Sequence, residues 1–316
     1  MKPAFAPLGL TPPHSLHRQG INQSTTIAYD HAVVHREDLP YLTPIRGICA
    51  LAVLFFHCRW LPFGNGGVDV FFILSGYVLT WGHKQHPRSP FAFWWARIGR
   101  TWPTHLVATL LVGGTIIAMG GDSFQRLLAD LALFPIFAEP VLPINGTTWS
   151  LAIEWLCYLS FPFVARGFCR AWKIAFAGCA LILLTADATL PGSSWPLAIV
   201  IGMAEFGMGA AVAGSGWEPR SHRLLGWLDS RICQWLGEIS YPLYLIQGLP
   251  LFLLGGNAAS NMHAGFVRHF GVAVSALCLG YALHVLVETP ARAWFKSGTA
   301  AQLFWRKPPP TVPSTP

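Results

Sequence analysis

Charge is what this chain has least of. Of its 316 residues, 11% are charged, against about 25% in a soluble globular domain, and the deficit excludes an ordinary water-soluble protein. Lysine is scarcer still, with 5 Lys beside 16 Arg. The net charge is +7, yet the basic residues never gather into the patch that nucleic acid requires, so no nucleic-acid partner is expected. The seven cysteines show no CxxC or other close ligand spacing, which argues against a zinc site or a disulfide framework. They read as small buried hydrophobes, and no metal is expected. No GxSxG elbow occurs, and Ser75 in FFILSGY has no adjacent base. Ser75-Gly76 therefore reads as a packing point where helices approach closely. Residues 1–40 lack a continuous apolar stretch and are expected to form a disordered cytoplasmic tail rather than a secretory signal. The Pro-rich end, 299–316, reads as a second flexible tail.

Apolar residues dominate what remains, at 53% of the chain with 14 Trp and 21 Phe. Runs long enough to cross or nearly cross a bilayer fall at about 43–61, 67–82, 102–120, 149–166, 172–190, 195–213, 232–254 and 266–288. A shorter run at about 127–138 contains Pro135. Basic residues cluster in the N-terminal tail, in 84–100, 166–173 and 220–231, and after 291. Placing all five clusters in the cytoplasm, as the positive-inside rule favours, gives eight crossings and leaves 127–138 partly inserted. The expected fold class is an all-α polytopic membrane protein. It is a bundle of about eight transmembrane helices, with ten the upper bound, plus a re-entrant segment. Its membrane domain covers 41–298 of the inner membrane, with both termini cytoplasmic.

Ionisable residues inside these runs point to function. Residues 46–57 read RGICALAVLFFH. Eleven helical steps of ~100° put Arg46 and His57 on nearly one face, about 16 Å apart. The hairpin after 61 faces outward, so His57, Asp69 and Glu154 are expected at similar depth in the outer part of the membrane, with Arg46, Arg97 and Arg100 at the inner side. Each buried charge costs roughly 2.5–3.5 kcal/mol on insertion scales, so these groups must pair or line a polar cavity. A structural ion-pair network is one reading. An imidazole oriented by a carboxylate, the arrangement of a general base near neutral pH, is the other.

At these residues the chain resembles the acyltransferase-3 family of integral membrane acyltransferases, which modify sugars of surface polysaccharides and other acceptors. The resemblance rests on RGICALAVLFFH, GGVDVFFILSGYVLT, ARIGRTWP, WSLAIEWLCYLSFP, ISYPLYLIQ and ETPARAW, in that order from about 41 to 295. It implies a cytoplasmic acyl-CoA donor, usually acetyl-CoA, and a carbohydrate or glycolipid hydroxyl as acceptor on the far side of the membrane. Family members often have His where this chain has Gln247, so no proton role is carried over to that position. The chain also has one helix pair fewer than the usual ten. With no appended extracytoplasmic hydrolase-like domain in the sequence, the acceptor is expected to come directly to the membrane domain.

The resemblance implies site roles as well. Arg97 and Arg100 would bind the CoA phosphates and Arg46 would guide the cofactor inward. His57, its tautomer fixed by Asp69 or Glu154, would deprotonate the acceptor hydroxyl for direct attack on the thioester, in preference to a His-acyl intermediate. Glu288 is expected to pair with Arg292. Glu205 lines the acceptor cavity or makes a structural hydrogen bond. The main rival is a proton-coupled transporter of a sugar or lipid-linked intermediate, which uses the same intramembrane residue types but calls for inverted repeats that are not evident here. A non-catalytic scaffold is a third reading. Acceptor identity, acyl length and oligomeric state are not legible in the sequence.

Overall fold

A computed structural model describes residues 41–133, 143–189, 195–218, 223–255 and 262–297, and all its regular elements are helical. Both expected tails, and the part of the 127–138 run that contains Pro135, lie outside the described residues. In chain order the helices are α1 (Leu42–His57), α2 (Gly66–Gln85), α3 (Pro90–Ala118), α4 (Phe124–Leu131), α5 (Thr148–Arg170), α6 (Trp172–Thr189) and α7 (Trp195–Gly214). A 3₁₀ turn (Arg223–Asp229) leads to α8 (Arg231–Ile246), α9 (Gly248–Gly255) and α10 (Met262–Leu283). A π-helical turn (His284–Glu288) then joins α10 to α11 (Thr289–Lys296).

Among the described residues, four segments are long and apolar enough to cross a membrane: Pro90–Ala118, Thr148–Arg170, Pro196–Gly214 and Gly265–Lys296. Two shorter apolar helices, Leu42–His57 and Trp172–Thr185, accompany them. Helix α3 starts as its sequence dictates. Ser89 accepts the Ala92 N–H at 3.3 Å and Pro90 occupies the first turn, where its missing N–H costs nothing. At ~1.5 Å per residue its 29 residues extend about 44 Å, well beyond a hydrocarbon layer of about 30 Å. Arg97 and Arg100 lie two to three turns from its start.

Lipid supplies no hydrophobic drive between helices, so close backbone approach does the packing. Helices α2 and α7 meet through Gly76 and Gly209. A Cβ on Gly76 would fall 1.9 Å from the Phe206 carbonyl oxygen, and one on Gly209 1.9 Å from that of Ile73. The packing role expected at Gly76 is thus met, while Ser75 is engaged elsewhere. Helices α1 and α8 meet the same way, Gly47 against the Gly237 backbone and Gly237 against the Thr43 carbonyl. Proline adds a further lock. Pro162 within α5 removes the N–H that would bond the Tyr158 carbonyl, four residues back. Trp94 of α3 donates to that carbonyl instead, at 3.0 Å.

The described part of the 127–138 run is anchored by polar atoms. Asp130, near the end of α4, is wholly buried. It accepts a hydrogen bond from the Thr148 hydroxyl and, at 2.9 Å, one from the Asn145 N–H at the start of α5. Asn145 in turn donates to the Leu245 carbonyl at 3.1 Å. Three segments of chain, α4, the entry to α5 and the end of α8, are therefore tied together.

Replacing Gly76 by Val should force α2 from α7 and cost about 1–3 kcal/mol, as overpacking generally does. Thermal unfolding in detergent should show a midpoint several degrees lower, whereas an unchanged midpoint would contradict the close contact.

Candidate functional site

Three helices bring cations together at one end of the bundle. Arg46 of α1 has its guanidinium carbon 6.0 Å from the Phe71 ring centre. Arg97 of α3 lies 5.8 Å from the ring of Phe93 and 5.9 Å from that of Tyr158. Arg100, one turn on, and Arg292 of α11 act electrostatically on both Arg46 and Arg97 or on each other. Among the described residues, the carboxylates that bear on these four arginines are Glu154 and Glu288. Positive charge is in excess. The Nε atoms of Arg97 and Arg292 are buried without a hydrogen-bond acceptor, an expensive state for a cation unless an anion arrives.

Glu154 sits next to this cluster. Its Oε1 accepts from the hydroxyls of Ser75 and, at 2.5 Å, Tyr158. Beside it a narrow cavity of about 40 Å³ is lined by Arg46, Phe71, Ser150, Glu154, Tyr241 and Tyr244. That is room for roughly one water molecule. The Tyr244 and Ser150 hydroxyls are 2.7 Å apart, and the Tyr241 hydroxyl donates to the Thr101 carbonyl at 2.8 Å. The polar lining is therefore already ordered before any ligand enters.

His57 ends α1 with its side chain exposed. Its Nδ1 lies 3.3 Å from Oε1 of Gln247. Gln247 is wholly buried at the α8–α9 junction, and its Nε2 donates to the Tyr244 carbonyl at 3.0 Å. With the amide fixed in that sense, Oε1 is left as an acceptor facing the ring. Nδ1 must then carry the proton, and Nε2 keeps its lone pair. Helix register explains the meeting. Gly47 contacts Gly237, and ten residues along each of two parallel helices His57 reaches Gln247.

The expected partners of His57 are elsewhere. Gly67 packs on α1, where a Cβ would fall 2.6 Å from the Cys49 carbonyl oxygen. Two residues later a helix has turned ~200°, so Asp69 points away from α1. Its charge instead bears on Glu205 of α7, a buried residue whose Oε2 has no hydrogen-bond partner. Glu154 is deeper than expected. It bonds Ser75, six residues and about 9 Å along α2 from Asp69. His57, Asp69 and Glu154 thus share neither one depth nor one cluster, whereas Arg46, Arg97, Arg100 and Glu154 do come together.

In the sequence, Gln247 stands only as a departure from the family's histidine with no proton role, and the orienting use of its amide is not legible there, although a lone amide closes the buried run ISYPLYLIQ. Asp130, inside the short apolar run, and Asn145, beyond it, carry a similar signal. Arg292 was noticed only as a partner for Glu288, and that pairing is present.

Residues 39–229, more than half of the chain, match a family model described as an acyltransferase domain. The chain is 34% identical over 149 residues to the acyltransferase MdmB of Streptomyces mycarofaciens, covering 39% of this chain and 38% of that protein. It is 30% identical over 148 residues to a Staphylococcus aureus (strain COL) protein provisionally named an O-acetyltransferase, covering 40% and 24%. A Bacillus subtilis (strain 168) protein provisionally named a peptidoglycan O-acetyltransferase is 29% identical over 159 residues, covering 42% and 24%. The chain spans well under half the length of these curated relatives. No solved structure matches it.

In Gln247→Leu the imidazole should lose its fixed tautomer. ¹⁵N NMR of histidine-labelled protein should show Nδ1 protonated at His57 in the parent and a mixture in the variant; an identical spectrum would rule out Gln247 as the orienting group.

Proposed function

The chain belongs to the acyltransferase-3 family, and from that membership we propose that it transfers an acyl group, normally acetyl, from cytoplasmic acyl-CoA to a hydroxyl of a carbohydrate or glycolipid. The observation that carries this reading is α1 itself. One end lies in an excess of cations suited to phosphates, and the other holds a histidine whose tautomer is set for proton abstraction. The two ends are eleven residues, about 16 Å, apart.

The chain is oriented with its basic clusters and both termini in the cytoplasm of the inner membrane and the α1–α2 hairpin outside. The membrane domain runs from 41 to 298 with about eight crossings, and the segment containing α4 is inserted only part-way. Arg97 and Arg100 bind the CoA phosphates through charge-assisted forks, with Arg46 behind them. The pantetheine arm follows the tyrosine-lined cavity past Glu154. A space of about 40 Å³ cannot hold such an arm, so donor entry requires α1, α2, α5 and α8 to part.

At the outer end, Nε2 of His57 takes the proton from the acceptor hydroxyl. The oxygen attacks the thioester carbonyl, the tetrahedral intermediate expels the CoA thiolate, and the imidazolium returns the proton to sulfur. Gln247 keeps Nδ1–H pointing inward throughout. Glu154, held by two hydroxyls and next to Arg46, orders the donor path rather than the base. Asp69 acts at the outer rim on the α7 side. The transporter alternative has no observation in its favour beyond the residue types it shares.

Purified protein in liposomes, supplied with radiolabelled acetyl-CoA and a mixed glycan acceptor, tests this. His57→Ala should lower transfer by roughly 10²–10⁴, the usual worth of a general base, while acetyl-CoA still binds; near-normal turnover would refute the assignment. Arg97→Lys and Arg100→Lys should each weaken donor binding with little effect on turnover at saturation, because lysine keeps the charge and loses the fork.

A further inference from the structure

The family match ends at residue 229, and the last helix lies beyond it. Yet α11 is built into the inner cation cluster. Gly99 falls between Arg97 and Arg100 in ARIGRTWP, and a Cβ there would sit 2.4 Å from Cγ of Phe295. The absent side chain is what lets α11 rest on α3, where the Trp95 and Phe295 rings lie 5.1 Å apart. That seating places Arg292 within electrostatic range of Arg46, Arg97 and Arg100, and Lys296 within range of Arg100 and Arg292.

The turn before α11 is π-helical. Such turns are rare and recur where function needs side chains re-aimed. Here it aligns three residues: His284 Nδ1 lies 2.8 Å from Glu288 Oε2, and Glu288 Oε1 pairs with Nη2 of Arg292. Glu288 is fully enclosed, but the Arg292 side chain is 31% exposed. The carboxylate engages Nη2 of the guanidinium, and Nε is left without an acceptor. If the ion pair were only a helix clasp, it would leave that edge idle and the surrounding arginines unneutralised.

We propose that Arg292 is a third phosphate anchor of the donor site, beside Arg97 and Arg100, taking the 3′-phosphate of the acyl-CoA, with Glu288 as the resident counter-charge that aims it. This rests on the acyl-CoA reading above. The 3′-phosphate is a compact dianion on the ribose, and a planar fork with a free edge is the side chain suited to it.

The test is equilibrium binding of acetyl-CoA and of its 3′-dephospho analogue to the full chain in phosphatidylcholine nanodiscs. The parent should prefer acetyl-CoA. Arg292→Gln should weaken acetyl-CoA binding by about tenfold or more, the worth of one charge-assisted hydrogen bond, leave the analogue within about twofold, and so erase the preference. Arg292→Lys, which retains the charge opposite Glu288, should lose part of it. A preference kept in both variants, or an equal loss for both ligands, would overturn the inference while leaving the donor reading intact. So would an effect seen only when anionic phosphatidylglycerol is added, since the anion would then be a lipid headgroup. Failure of the parent to bind either ligand would instead remove the donor reading and this inference together.

Discussion

The constraint on which the site depends is the contact of two backbones, Gly47 of α1 against Gly237 of α8. Nothing larger than hydrogen fits between them, so the two helices can neither slide nor rotate freely. Everything polar along α1 inherits that register. Below the contact, Arg46 turns toward the cations of α3 and the carboxylate of α5; above it, His57 reaches the one amide that ends α8. A second tight pair, Gly76 and Gly209, holds α2 to α7 and thereby fixes Ser75 opposite Glu154. The chemistry is set by residues with no chemistry of their own.

Around this frame the polar groups divide into two kinds. Some are fully satisfied and structural: Asp130 with Thr148 and Asn145, Asn145 with Leu245, Trp94 with the carbonyl released by Pro162. These tie α3, α4, α5 and the α8–α9 junction, and thus support Gln247 from behind. Others are left wanting, among them the Nε atoms of Arg97 and Arg292 and one oxygen of Glu205. In a low-dielectric interior an unmet donor or acceptor is costly, and in the proposed reaction the two arginine edges are where the donor's phosphates would supply what the protein does not.

Much of the site was legible in the sequence, and what was missed has a common cause. Spacing along one helix gives depth, so Arg46 and His57 were read to opposite ends of one span, and ARIGR to the inner side. Depth says nothing about azimuth. Asp69 follows the hairpin closely enough to suggest a partner for His57, but the packing of Gly67 turns it to the far side of α2. Glu154 was assigned by counting from Trp149, whereas the Ser75 contact puts it nearer the arginines. Gln247 was set aside for lacking a proton, although orienting an imidazole needs only an acceptor. The helical class was plain from hydropathy. Four segments have the length and apolarity of spans, and helices enclosed by others, such as α2, can carry polar residues that hydropathy counts against them.

A catalyst that draws one reactant from each side of a membrane risks becoming a leak. The chamber beside Arg46 and Glu154 is only about 40 Å³, with its tyrosine and serine hydroxyls already bonded to one another or to backbone. Its lining takes in Arg46 and Glu154 but not His57, so among the described residues this space does not join the arginines to the histidine. In the proposed reaction the bundle would open only for a coenzyme arm that fills the gap it makes, which would preserve the electrochemical gradient through each turnover.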